Sequence, residues 1–242
     1  MFAAAGCDLV VVARRAARLE ALAAELGAHG DRVHVVALDL AQPGAVPRVV
    51  AETERLGLDV TYLVSNAGFA TSGPFAQADP ARELALLQVD VVTPLALARA
   101  FLPGMIERGR GRILNVSSTA GFQPGPFMAS YYASKAFLNS FSEALSYEVR
   151  GTGVTVTVSC PGPMATEFAA VAGTERTRLW AGRRGRDPAV VAREAYEAMM
   201  AGRPLIVHGL ASWAGVEALR LGPRAVVRAA AGRFNRPSRR AG

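Results

Sequence analysis

Apolar residues fall along this chain in short unbroken runs, separated by longer stretches in which they recur every three or four positions. The runs at 8–13, 32–39, 60–64, 112–116, 154–160 and 205–208 read as strands buried on both faces, the pattern of a parallel sheet. Between them, 17–26, 45–55, 130–147 and 188–200 have helical periodicity, and 80–108 reads as one long helical stretch. Residues 1–6 read as the last turn of a helix, with Gly6 at its C-cap. Strands alternating with helices predict an α/β fold on a doubly wound parallel sheet, whose ligands sit at the C-terminal ends of the strands. No repeat or linker is visible, so a single domain is expected over 1–242, with a core at 1–208 and a tail at 209–242.

The strand at 112–116 runs into Ser117 and Ser118, and a Gly/Pro-rich loop at 119–127 leads into the helix at 130–147. Tyr131 and Lys135 lie four apart on that helix and so leave the same face one turn apart. A phenol beside an ammonium is expected to fall from its usual pKa of about 10 toward working pH. It would then exchange a proton with a carbonyl or alcohol oxygen held by Ser118. Usage of basic residues supports this. Of 27 lysines and arginines, Lys135 is the only lysine. Arginine cannot readily give up its proton, and its planar fork does not replace a compact ammonium.

Composition narrows the classes. A hydrophobic fraction of 51% and a charged fraction of 19% suit a buried-sheet protein and argue against disorder. Cys7 and Cys160 lie far apart in apolar contexts, which fits core residues in a reducing cytosol better than a disulfide or a metal site. No uninterrupted apolar run is expected to span a bilayer and no secretion leader is evident, so a cytoplasmic location is expected. The net charge of +7 resides in the tail: through Glu217 basic and acidic residues balance, and the arginines at 220, 224, 228, 233, 236, 239 and 240 meet no acid. Without interleaved aromatics or a recognition motif, no nucleic-acid partner is expected. The tail could cover a substrate site, pack at a subunit contact or rest on anionic lipid, with membrane contact ranked last.

Ser118 followed by Tyr131-Tyr132-Ala133-Ser134-Lys135, at a thirteen-residue Ser-to-Tyr spacing, resembles the signature of the short-chain dehydrogenase/reductase family. The resemblance covers residues 2 to about 208 and implies a Rossmann-like fold. It also implies a small-molecule substrate and hydride exchange with a nicotinamide cofactor, with Tyr131 as proton donor or acceptor, Lys135 also on the nicotinamide ribose, and Ser118 orienting the substrate oxygen. Asn66-Ala67-Gly68 matches the family's Asn-Ala-Gly turn, Asp39-Leu40 its adenine-contacting pair, and Pro161-Gly162 with Thr166 the segment flanking the nicotinamide. Arg14 follows the first strand, where arginine accommodates a 2′-phosphate, so NADP (NADPH) is expected in preference to NAD. Asp90 stands where many members have a catalytic asparagine. Near Lys135 it would stabilise the ammonium and offset part of its field at Tyr131.

Substrate choice is expected to rest on 122–128 and on 164–186, including Phe168, Leu179 and Trp180, whose apolar character implies a hydrophobic ketone, alcohol or acyl group. The family commonly pairs subunits through the helices at 80–108 and 130–150, which implies a homodimer or homotetramer. The family's opening strand and Thr-Gly-x-x-x-Gly-x-Gly phosphate turn have no counterpart here; roughly 20–30 residues of average strand and helix would hold them. A misplaced start, a fragment and a degenerate relative are open explanations. Weak or absent NADP(H) binding by the chain as given, open edges on the strands at 8–13 and 60–64, and poor solubility are therefore expected. The alternative is a non-catalytic binding or scaffold protein that kept the fold without the phosphate loop.

Overall fold

The computed structural model describes residues 1–27, 32–174, 177 and 185–236. They group into two compact units, Met1–Val60 and Thr61–Gly242.

In the first unit a short 3-10 turn, Ala3–Ala5, ends at Gly6, whose left-handed φ of 73° lets its N–H reach back to the Ala3 carbonyl. Strand β1 (Leu9–Ala13), helix α1 (Ala16–Gly27), strand β2 (Val33–Ala37) and helix α2 (Ala45–Arg55) follow. The two strands pair in parallel, Leu9 opposite Val33 through Ala13 opposite Ala37. Helix α2 buries Ala45, Val49 and Thr53, one residue per turn, which is the stripe its periodicity predicts.

The second unit carries a four-stranded parallel sheet in chain order: β3 (Tyr62–Ser65), β4 (Gly111–Val116), β5 (Val154–Cys160) and β6 (Leu205–Val207). Helices α3 (Pro80–Leu87), α4 (Thr93–Glu107), α5 (Ala129–Glu148), α6 (Phe168–Ala172) and α7 (Pro188–Met200) lie between the strands. Helices α4 and α7 pack on β4, and α5 and α7 on β5. Cover on both faces is why Ile113, Val156 and Val158 are fully buried and why the strands read as unbroken apolar runs. Every pairing in both sheets is parallel. Among the described residues β1 pairs only with β2, and β3 only with β4.

The stretch expected as one long helix is continuous but changes pitch. Between α3 and α4, Gln88–Val92 forms a π-turn in which the Thr93 N–H donates five residues back, to the Gln88 carbonyl. Pro94 supplies the reason: it has no N–H to return to the carbonyl of Asp90, so the regular ladder cannot continue there. The wider turn places Val89 and Asp90 inside the protein. By length and composition Pro80–Glu107 is long and apolar enough to cross a membrane, an 18-residue window within it having a mean hydropathy of 1.5, although charged residues interrupt it. In this fold its apolar side faces β3, β4 and α5.

Helices α3 and α7 begin alike. Asp79 and Asp187 accept the N–H groups of Ala81 and Ala189 at 3.0 and 2.8 Å, and proline fills the first helical position of each. The tail resolves into α8 (Leu210–Leu221) and α9 (Arg224–Asn235), with Asn235 fully buried.

Candidate active site

Helix α5 is fixed on the sheet by polar contacts near its N-terminal half. Asn115 on β4 donates to Ser142 Oγ at 2.9 Å, the Ser117 hydroxyl donates to the Lys135 carbonyl at 3.1 Å, and Lys135 Nζ donates to the Val116 carbonyl at 3.3 Å. Gly121 is needed at the crossing. A Cβ there would lie 2.6 Å from the Lys135 carbonyl oxygen.

These contacts bring Tyr131, Lys135, Ser118 and Asp90 into one cluster. Lys135 Nζ is 3.0 Å from Asp90 Oδ2, both side chains being almost wholly buried. The other carboxylate oxygen of Asp90 accepts the Phe69 N–H at 3.1 Å, and Ser134 Oγ lies 3.4 Å from Oδ2. Asp90 is thus no surface helix carboxylate; it is the centre of a buried ion pair. Burial pushes its pKa up, and Lys135, the Phe69 N–H and Ser134 only partly restore the charged form.

Ser118 follows β4 in extended conformation, and its hydroxyl donates to the Pro161 carbonyl at 3.3 Å while accepting the Ala120 N–H at 3.1 Å. It also stands near enough to the Tyr131 phenol to favour its ionised form. The expected acidification of Tyr131 is not found. Burial raises its pKa above the usual phenol value, Ser118 pulls the other way, and the charge of Asp90 raises it further. Lys135 Nζ stands 5.6 Å from the Tyr131 ring centroid with Asp90 at 3.0 Å, so the carboxylate offsets the field that an isolated ammonium would exert.

Asn66, Ala67 and Gly68 continue from the C-terminal end of β3 and are exposed. Gly68 lies against the ion pair: a Cβ there would meet Asp90 Oδ1 at 3.1 Å and Lys135 Nζ at 3.2 Å. The sequence reading gave this glycine to the approach of a cofactor, and the structure adds a second reason internal to the protein. Gly68→Ala is expected to push the pair apart by a few tenths of an ångström and to cost about 1–3 kcal/mol by overpacking. Urea denaturation of the variant beside the parent chain measures it.

Pro161 and Gly162 follow β5, with Gly162 beneath α8, where its missing Cβ would stand 3.1 Å from Ser212 Oγ. Thr166 is exposed, and its Oγ1 accepts the Phe168 N–H at 3.3 Å. Phe168 stacks at a tilt on Tyr131, ring centroids 5.3 Å apart, so the expected specificity loop does reach the phenol. Leu179 and Trp180 lie outside the described residues. A cavity of about 460 Å³ is lined by Ser72, Phe75, Arg82, Phe127, Met128 and Val171 among others, and by none of Ser118, Tyr131, Lys135 or Asp90. In the first unit, Arg14 is exposed just past the end of β1. Asp39 follows β2 and accepts the Ala41 N–H at 3.0 Å, and Leu40 is buried.

Sequence reading missed the chain Ser159, His208, Glu194 and Arg186. Ser159 Oγ is 2.8 Å from His208 Nε2, His208 Nδ1 is 2.6 Å from Glu194 Oε2, and Arg186 pairs with Glu194 at 2.8 Å. The His208 hydrogen bond, with Arg186 beside it, holds Glu194 below the usual carboxylate range. Arg186 also bridges Met164 through the backbone, so this chain closes the base of the loop that begins after Gly162. Cys160 is fully buried, its thiol pushed up to about 12 by burial, which fits the expected core role.

Comparison with known proteins places this arrangement. A family model described as short chain dehydrogenase matches residues 1–177. A short chain dehydrogenase of Pseudocercospora fijiensis is 36% identical over 173 residues, and the match takes in 70% of this chain but 55% of that relative's length. Among solved structures, a 7beta-hydroxysteroid dehydrogenase superposes with a TM-score of 0.83 at 29% identity, covering 95% of this chain and 88% of that one. A short-chain dehydrogenase from Sphingobium yanoikuyae in complex with NADPH gives a TM-score of 0.79, also at 29% identity, covering 94% and 89%. With its parallel α/β fold and its Ser118, Tyr131 and Lys135 gathered at one place, the chain belongs to the short-chain dehydrogenase family.

Proposed function

We propose that this protein is an NADP(H)-dependent oxidoreductase that interconverts a carbonyl and an alcohol on a hydrophobic substrate. The observation that carries the reading is the buried cluster in which Tyr131 meets Ser118 on one side and the Lys135–Asp90 pair on the other. A nicotinamide cofactor, when bound, supplies or accepts the hydride. The residues fit such a group. Backbone at Asn66, Ala67 and Gly68 is exposed at a strand's C-terminal end, beside the only lysine, with no side chain at Gly68 to fill the space. Lys135 would hold the nicotinamide ribose, and Pro161, Gly162 and Thr166 would flank the ring.

The chain's own residues then hold and move one proton. Ser118 Oγ fixes the substrate oxygen against the Tyr131 hydroxyl, and Tyr131 gives its proton to a developing alkoxide in reduction. A phenol with a raised pKa is fully protonated at neutral pH, which suits a donor. A hydrophobic substrate is supported by Phe168 against Tyr131 and by likeness to a hydroxysteroid dehydrogenase.

Preference for NADP rests on Arg14, exposed at the end of β1, and is supported by the NADPH complex of the Sphingobium protein. The test is reduction of a panel of hydrophobic ketones and aldehydes, followed by loss of reduced-nicotinamide absorbance with NADPH and NADH in parallel. Turnover with at least one ketone is expected at cofactor concentrations high enough to offset the weak NADP(H) binding expected without the glycine turn. Arg14→Asp should shift the ratio of kcat/KM toward NADH by at least about tenfold, the value of one charge-assisted contact of about 1.4 kcal/mol. An unchanged ratio would leave Arg14 as a surface residue.

A further inference from the structure

Tyr131 is only the third residue of α5, so its position depends on how that helix begins. The start is poorly provided for locally. Met128 at the N-cap offers no side-chain hydrogen bond, and Phe127 before it is the only non-glycine described residue with positive φ, at 67°. Something outside the segment must hold it, and the contacts show what does. The Gly73 N–H donates to the Phe127 carbonyl at 2.8 Å. The remaining contacts come from the tail. Asn235 Nδ2 donates to the Pro126 carbonyl at 3.2 Å, Arg236 lies 5.7 Å from the Phe127 ring centroid, and Gly232 packs on Pro126 closely enough that a Cβ would stand at 3.4 Å.

The same Asn235 amide turns its oxygen to the catalytic helix, accepting from the Tyr132 hydroxyl at 3.1 Å. Tyr132 is buried and adjoins Tyr131, the two rings meeting edge-on at 6.0 Å. Gly125 completes the arrangement, since a Cβ there would fall 2.1 Å from the Tyr132 ring. One buried amide thus bonds both the loop that precedes α5 and the first turn of α5 itself. Its amino group and its oxygen are both used, one on half-buried Pro126 and the other on buried Tyr132.

We propose that Asn235, at the end of the basic tail, is a positioning residue for Tyr131: it clamps the 124–128 loop onto Tyr132 and so sets where the catalytic helix begins. This rests on the proposed function for its consequence in turnover, but the clamp itself can be read without it. The tail accordingly acts on the site through α9.

The experiment compares the parent chain with Asn235→Ala, Asn235→Asp, Tyr132→Phe and, as an α9 control, Arg228→Ala. Amide hydrogen exchange across 121–135 is followed together with exchange in β4 and β5. Asn235→Ala is expected to raise exchange at residues 125–132 at least tenfold while leaving the strands protected. Tyr132→Phe, which cuts the same clamp from the other side, should raise it less because the Pro126 contact survives. Asn235→Asp keeps an acceptor for Tyr132 but loses the donor to Pro126, and should fall between the alanine variant and the parent. Arg228→Ala should match the parent. In turnover, kcat of Asn235→Ala should drop about tenfold with little change in KM for the cofactor, which a merely structural loss would not separate. Unchanged exchange at 125–132, or uniform loss of protection in the strands as well, overturns the clamp. Local loosening with kcat unchanged overturns its role in positioning Tyr131. If the parent chain shows no turnover with any ketone, the proposed function fails while the exchange result still decides the clamp.

Discussion

Tyr131→Phe is expected to lower kcat for ketone reduction by about a hundred- to ten-thousand-fold, the usual contribution of a positioned proton donor. The ring remains, so its contacts with Phe168 and Tyr132 are kept and the fold should survive; only the hydroxyl that meets Ser118 is lost. Tyr132→Phe removes the neighbouring hydroxyl and should matter far less to turnover, because that hydroxyl serves Asn235 and not the substrate. The raised pKa adds a signature in stability. A phenol ionises near 10 when unfolded, and Tyr131 does so at higher pH when folded. Its contribution to stability is therefore complete below about pH 10 and is lost as pH rises through the folded value. Tyr131→Phe should lack that alkaline loss. Near-normal turnover in a steady-state assay would sink the mechanism.

The second large effect is expected from Lys135→Met. It leaves Asp90, which is fully buried, facing an apolar chain, and breaking a buried pair from one side costs about 3–5 kcal/mol. The sign with pH follows from Asp90. Burial already raises its pKa in the presence of Lys135, and removing the ammonium raises it further. A group whose folded pKa is raised favours the native state below its unfolded value and loses that contribution as pH rises through the folded one. The deficit of Lys135→Met should therefore be greatest at neutral pH and shrink in acid, where Asp90 takes up a proton. Adding Asp90→Asn should recover most of the stability at neutral pH and none of the turnover. Urea titrations at neutral and acid pH, with parallel rate measurements, check both halves. A deficit that does not change with pH would mean that Asp90 is not the group left unpaired.

Much of this site could be read before the structure because its chemistry is periodic. Tyr131 and Lys135 are one helical turn apart and so share a face, and Ser118, at the end of a strand, joins them through the resemblance to the family signature. The parallel sheet was legible for a similar reason, since strands covered on both faces leave no polar alternation at Ile113 or Val156. What escaped depended on contacts distant in sequence. Asp90 was placed near Lys135, but its depth and its effect on Tyr131 follow from a π-turn that Pro94 imposes, and from a Gly68 backbone that closes over it. The tyrosine pKa was read from one neighbour, Lys135, when burial and the second neighbour decide its direction. Asn235 gave no signal in the sequence. It stands over a hundred residues from Tyr132, in a segment whose charge drew attention to its arginines instead.

Confinement of the ammonium to one buried position also makes the protein its own spectroscopic probe. Selective isotope labelling of lysine would place a single labelled side chain in the whole molecule, at Lys135. Its Nζ is held between Asp90 Oδ2 at 3.0 Å and the Val116 carbonyl at 3.3 Å, out of contact with bulk water. One resonance, with no assignment problem, would therefore report the state of the ion pair as pH, cofactor or substrate is varied.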